Sequence, residues 1–397
     1  MLDFLKKHIW IVIIIVALLL IPQSFLSQSE LNGRVLITGI AVDSIEDDYK
    51  VTAQVILPSG EKEGANVILN FVSAVSSSVT EAIDMITAKL GMTTGLSHLN
   101  FILIGRDLYE NKNVMSVMDV FMRDERISNS VSFYCTRESA EEEIKKTKNL
   151  NLSTAIGIEN VFTKKEEALS AVVTPVYKFV SDGLSDTKAQ MVSGLSITEE
   201  NGEENKNSDT NKSNNTSRLT YLNNIYVFKE GNLIHEIKDE ESIIGAFLLN
   251  KASSQGIITV KNVNDDTFKN ANVSVHIKNK KVKYNAKFVD NIPVLTIKIS
   301  AVNNAIREIH NENLDENNYF ANKNYFTEAL KNTLTESIIF NIDRVITETK
   351  DIIDLFGFEA SFKAYHPIQY KKYKEIYGDD FFNKIQINYE IKLSANE

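Results

Sequence analysis

Lys384-Ile385-Gln386-Ile387-Asn388-Tyr389-Glu390-Ile391-Lys392-Leu393 alternates polar and apolar residues without a break. Successive side chains of a strand point to opposite faces, so a period of two marks a half-buried strand. Ile385, Ile387, Tyr389, Ile391 and Leu393 are expected inward, and the residues between them outward. Upstream, Phe326, Leu330, Leu334, Ile338, Ile342 and Val345 fall on one helical stripe. They predict a long helix over about 324–355, with Gly357 as its stop. Before it, Val273, Val275 and Ile277 alternate, as do Val282, Tyr284, Ala286 and Phe288, then Leu295, Ile297 and Ile299. Gly256-Ile257-Ile258-Thr259-Val260 opens the set. The pattern predicts a C-terminal antiparallel sheet with one long helix packed on it. One helix covers one face, so the other face is expected to be wet or to meet a partner.

The N-terminal half mixes periods. Val35–Asp43 and Tyr49, Val51, Ala53, Val55 and Leu57 predict a hairpin joined by the polar run 44–48. Ser78-Val79-Thr80-Glu81 fits a capping box ahead of Ala82, Ile83, Ile86 and Leu90, and Gly91 is the expected stop. Asn100–Gly105 predicts a short buried strand. Asn113 is the expected cap of a helix carrying Val114, Val117, Met118 and Phe121. A strand around Cys135 and a helix opened by Ser139 follow. This succession is α+β, not an all-β sandwich. Residues 199–218 hold almost nothing apolar and cannot offset their ordering entropy by burial. They predict a disordered loop or linker. Ile225–Phe228 and Leu233-Ile234 flank a hairpin turn at 229–232, and Glu241–Leu249 is a short apolar segment. The expected division is a signal or anchor segment at 1–28, an α+β domain at 30–195, a polar linker at 196–219, a small middle domain at 220–255 and an α+β domain at 256–397.

Lys6 and Lys7 precede the apolar run Ile9–Ile21. A terminal run apolar on every side directs export or anchors a chain in a bilayer. It is shorter than the ~20 residues of a comfortable span and sits within signal-peptide lengths. Ser27-Gln28-Ser29 fits a cleavage site only loosely. The lysines place the N-terminus in the cytosol and the body outside it.

The chain has 397 residues, 43% hydrophobic and 24% charged, and a net charge of −10. It is a folded protein, and nucleic acid is not an expected partner. Its single cysteine, Cys135, forms no intramolecular disulfide and is expected to be a small buried hydrophobe. The sequence holds no nucleotide-binding glycine loop, nucleophile elbow, zinc-protease helix or paired-cysteine motif. His235-Glu236 starts like a zinc motif but no second histidine follows. His276 is expected in solvent and His98 in a structural hydrogen bond. Asp47-Asp48 and Asp379-Asp380 suit turns better than acid–base work. No residue is assigned as catalytic, cofactor-binding or metal-ligating, and no cofactor is expected.

Several stretches together resemble the Ger(x)C family of spore germination proteins, the C subunits of GerA-class germinant receptors. They are Glu30-Leu31-Asn32 leading into Ile37–Asp43; Ser97-His98-Leu99-Asn100 through Gly105; Asp119-Val120-Phe121-Met122-Arg123-Asp124; Ser254–Val260; Asp354-Leu355-Phe356-Gly357-Phe358; and Tyr365-His366-Pro367 before the closing strand. The resemblance implies a non-enzymatic, three-domain ectodomain on the outer face of the inner spore membrane. It also implies work with an integral membrane subunit and an A-type subunit in nutrient sensing. Members of that family usually carry an acylated lipobox cysteine near the end of the signal region. Here no cysteine precedes Cys135, so lipidation by that route is absent and residues 9–21 are expected to remain as the membrane anchor. The alternatives are a membrane-tethered binding or scaffold protein outside any receptor, and an exported enzyme acting on cell-wall polymers.

Overall fold

A computed structural model describes residues 34–56, 69–147, 172–200, 216–220, 224–251, 254–265, 268, 270–310 and 326–395. The apolar run 9–21, the polar stretch 201–215 and the start of the long helix at 324–325 lie outside the described residues.

The expected hairpin is strands β1 (Arg34–Ile45) and β2 (Asp48–Ile56), turning at Glu46 with φ 52°. Strand β3 (Leu69–Ser76) adds to β2. Helix α1 (Val79–Leu90) begins where Ser78 accepts from the Glu81 amide at 3.2 Å and ends at Gly91. Only half of the capping box forms, because the Glu81 carboxylate bonds Ser76. Short β4 (Thr93–Gly95) and β5 (Phe101–Ile104) run parallel to β1. Helix α2 (Arg106–Asn111) and helix α3 (Val114–Arg123), capped by Asn113, lead to β6 (Ser132–Thr136) and helix α4 (Ala140–Lys146). Then come β7 (Thr174–Pro175), α5 (Val176–Gly183), β8 (Ala189–Glu200), β9 (Thr216–Thr220), β10 (Ile225–Lys229), β11 (Asn232–Ile237) and α6 (Glu240–Leu249). The last part is β12 (Gly256–Val263), β13 (Ala271–Ile277), β14 (Lys281–Val289), β15 (Ile292–His310), α7 (Glu328–Thr349), α8 (Phe358–Tyr365), α9 (Pro367–Tyr377), a 3-10 turn and β16 (Gln386–Ala395).

Two sheets with packed helices result, in keeping with the α+β class. The first runs β11-β10-β8-β6-β5-β1-β2-β3, with β4, β7 and β9 paired off that path. The second runs β12-β13-β15-β14, with β16 on β15. Helices α1, α3 and α5 bury one face of the first sheet with Ile83, Phe121 and Phe179, and α4 covers part of the other with Ile144.

Four expectations change. The polar stretch is bounded by strand, not loop: β8 and β9 pair from Ser196 with Thr220 to Glu200 with Thr216. Residues 220–255 build no sheet of their own, since β10 pairs with β8 from Ile225–Ser193 to Lys229–Ala189. The closing strand is parallel to β15, Leu295 opposite Ile387 and Ile299 opposite Ile391, so the second sheet is not purely antiparallel. Helices α7 to α9 make the crossover that parallel pairing needs. The long helix stops at Thr349, and Gly357, at φ 71°, opens α8 instead.

Strand β10 faces two cores. Tyr226 and Phe228 join the core of the first sheet, while Ile225 and Val227 join the core built by the second sheet with α6, α7 and α8. Helix α6, whose sequence is apolar almost all round, is correspondingly buried from Ile243 to Leu249 save Ile244. Gly245 lets it lie against α7, where a Cβ would stand 2.1 Å from the Asn341 carbonyl oxygen.

Candidate functional site

A cleft of about 510 Å³ opens where α5 and β8 meet the end of α6 and the loop before α8. Its apolar floor includes Val172, Met191, Leu249, Leu355 and Phe356. Its charges are mostly paired: Lys178 with Asp182 at 2.6 Å, and Lys363 with Asp186 at 2.8 Å. Lys251 lies over the Tyr284 ring, 4.2 Å from its centroid. Partial burial, and then repulsion from Lys178, hold its ammonium below the usual lysine range. The Tyr284 hydroxyl donates to the Leu249 carbonyl at 3.3 Å, and burial pushes its pKa up. Among the described residues that line it, the cleft has an apolar floor and one cation outside an ion pair. Among those residues no nucleophile stands beside a base.

Three buried charges hold helix ends. Lys280, 4% exposed, donates to the carbonyls of Phe247, Leu248 and Asn250 at 3.1, 2.9 and 2.8 Å, closing the C-terminus of α6. Asp354 accepts from the amides of Phe358 and Glu359 at 2.9 and 2.7 Å, across the left-handed turn at Gly357. Desolvation dominates over these donors and pushes its pKa up to about 6. Asp43 takes the amides of Ala140 and Glu141 at 2.7 and 2.9 Å and the Ser139 hydroxyl at 3.1 Å, so it, and not Ser139, caps α4. Its pKa is raised, again mainly by burial.

The histidines do other work than expected in two cases. His276 is buried, with Arg307 donating to its Nδ1 at 2.9 Å. Its polar side of the sheet is covered by the arginine that β15 places beside it. His98 is exposed on the turn before β5. His235 pairs with Glu348 at 3.0 Å, tying β11 to α7, and His366 bonds the Ala286 carbonyl at 3.0 Å. Cys135 is fully buried, and burial pushes its thiol well up. Asp119 pairs with Arg123 at the end of α3. Among the described residues, no group of three His, Cys, Asp or Glu side chains is placed to hold a metal ion.

The quoted motifs thus read as fold signatures. Asp354-Leu355-Phe356-Gly357-Phe358 is a helix cap with Phe358 set edge-on against Tyr284 at 5.0 Å. Tyr365-His366-Pro367 is the corner between α8 and α9, with Pro367 in the first turn of α9. A family model described as the spore germination protein N-terminal domain matches residues 27–197, and a second, spore germination B3/GerAC like, C-terminal, matches residues 223–397. This chain is a Ger(x)C family protein. Spore germination protein KC of Bacillus subtilis is 21% identical over 412 residues, covering 96% of this chain and 94% of that protein. Spore germination protein B3 of the same organism is 32% identical over 105 residues, 26% of this chain and 28% of that protein. The crystal structure of the GerBC protein superposes with a TM-score of 0.51 at 16% identity, over 90% of this chain and 97% of that one. That likeness supports the α+β fold of this Ger(x)C protein. The structural roles that sequence reading missed are those of Lys280, Asp43 and Gly245. None belongs to a motif, and only their distant partners give them a role.

Proposed function

We propose that this Ger(x)C protein is a non-enzymatic subunit of a spore germinant receptor. It would be held at the inner spore membrane by residues 9–21, with its body outside the cytosol, and would act with an integral membrane subunit and an A-type subunit. The observation that carries this reading is the match of both family modules, in order, across nearly the whole chain. The placement of the charged groups agrees with it. Asp43, Lys280 and Asp354 hold helix ends, and the junction cleft offers a shaped, partly apolar surface. The anchor reading rests on the run from Ile9 to Ile21 and on a sole cysteine that is buried in β6. Among the described residues no helix is long and apolar enough to cross a membrane.

Deletion of the gene tests the role through dipicolinic acid release from spores across a panel of nutrients. Slower release for one nutrient class, with normal release to a non-nutrient trigger and rescue by complementation, is the expected result. Unchanged release with every nutrient would instead favour the tethered scaffold. Alkaline extraction of membranes tests the anchor: the full chain should stay with the membrane and a chain lacking residues 1–28 should not.

A further inference from the structure

A groove of about 800 Å³ runs between strand β12, helix α7 and the start of α6. Strand β12 pairs with β13 on one side, and among the described residues no strand pairs with its other side. Open edges present a row of backbone donors and acceptors and are normally blunted. Strand β14, which lies on the same side of β15 as β13, shows how such an edge is blunted: it carries exposed Lys281, Lys283 and Lys287, and α8 packs on it. Gly256-Ile257-Ile258-Thr259-Val260 has no proline and no charge. Blunting starts only at Lys261 and the bulge around Asn262, at φ 58°. Along this bare edge Ile257 is 36% exposed, and across the groove Phe340 of α7 is 55% exposed. The rim carries Glu240, Glu241 and Glu336 against Lys261.

A bare edge strand with a helix alongside and an apolar groove between them is the geometry of strand addition. There, main-chain bonds give affinity and the side-chain pockets give selectivity. We infer that this groove takes an extended segment of another protein as an added strand on β12, one row of its side chains, apolar, beside Ile257 on the open face of the sheet, and the other row, basic, turned into the groove, its stems over Phe340 and its charges towards Glu240, Glu241 and Glu336. The charge of the rim selects the occupant. A second copy seated edge to edge would bring a second set of the same glutamates to the contact, whereas a segment alternating apolar and basic residues complements them. The inference adds a docking surface to the receptor reading without depending on it. Peptide binding can fail while the germination phenotype stands, and the reverse.

The probe is a fluorescein-labelled seven-residue peptide alternating lysine and valine, followed by anisotropy with the full chain in an uncharged detergent. Saturable binding is expected, weakened at least tenfold by Glu336→Lys and by Ile257→Lys. Both are exposed positions whose substitution should leave the circular dichroism unchanged. N-methylation of alternate peptide amides should abolish binding with the protein untouched, and exchange of lysine for glutamate should weaken it at least tenfold. Equal binding by the N-methylated peptide, equal binding by both variants, or no binding of the parent peptide would overturn the inference. A dimer in sedimentation that Phe340→Asp dissolves would also overturn it, by assigning the groove to a second copy.

Discussion

Replacing Gly245 by alanine sets two known effects against each other. In an exposed helix interior the change stabilises by about 1 kcal/mol, because glycine has more backbone freedom to lose. Here the new Cβ would stand 2.1 Å from the Asn341 carbonyl oxygen and 2.7 Å from its carbon. Even weak C–H···O contacts keep carbon and oxygen about 3.3 Å apart, so α6 and α7 would have to separate by about 1 Å. The obstruction is helix backbone and cannot rotate away. Overpacking of this kind costs about 1–3 kcal/mol, and parting the helices also loosens Ile342 and Val345 from Ala246 and Leu249 in one buried cluster. Near the upper end of that range it outweighs the helix gain, leaving Gly245→Ala about 1–2 kcal/mol less stable. Urea unfolding followed by far-ultraviolet circular dichroism reads this as a lower midpoint at unchanged slope. A midpoint equal to or above wild type would refute the close-contact argument.

Asp354 makes stability depend on pH. Its folded pKa of about 6 lies above the ordinary 3.8, so the folded protein binds this proton more tightly than the unfolded chain. The contribution is full below 3.8 and is lost as pH rises through about 6. It amounts to roughly 3 kcal/mol at 1.36 kcal/mol per pH unit. The difference in stability between wild type and Asp354→Asn should therefore change between pH 4 and pH 7, and a constant difference would disprove it. Lys280→Met leaves three carbonyls at the end of α6 without their donor and should cost at least about 2 kcal/mol, checked by thermal unfolding. Cys135 should resist maleimide in the folded protein and react within the unfolding transition, so its labelling rate should rise in Gly245→Ala; rapid labelling of native wild type would contradict its burial.

Local periodicity in the sequence revealed faces, but not partners. The alternation from Ile385 to Leu393 correctly told which side of β16 meets the core, yet a period of two is the same in parallel and antiparallel strands, so the pairing with β15 was invisible. The caps at Ser78 and Asn113 were legible because their bonds span three residues. The cap at Asp43 was not, since its donors lie almost a hundred residues away. Strand character at 196–200 was hidden by polar residues that a sheet margin tolerates. His276 looked solvated because the Arg307 that covers it comes from another strand. The family resemblance was legible in segments that turn out to build corners and caps.

The boundary between the two family modules has a consequence for recombination. The matches break at residues 197 and 223, the natural place to join halves of two related genes. The fold does not break there: β8 from one side is laced to β10 from the other, and β10 lends alternate residues to both cores. A hybrid assembled at that seam must rebuild the pairings from Ile225–Ser193 to Lys229–Ala189 out of two parents that never evolved together. Crossovers inside either half, away from this ladder, inherit it from one parent. In this architecture the seam between the two family matches is a poor place to exchange parts.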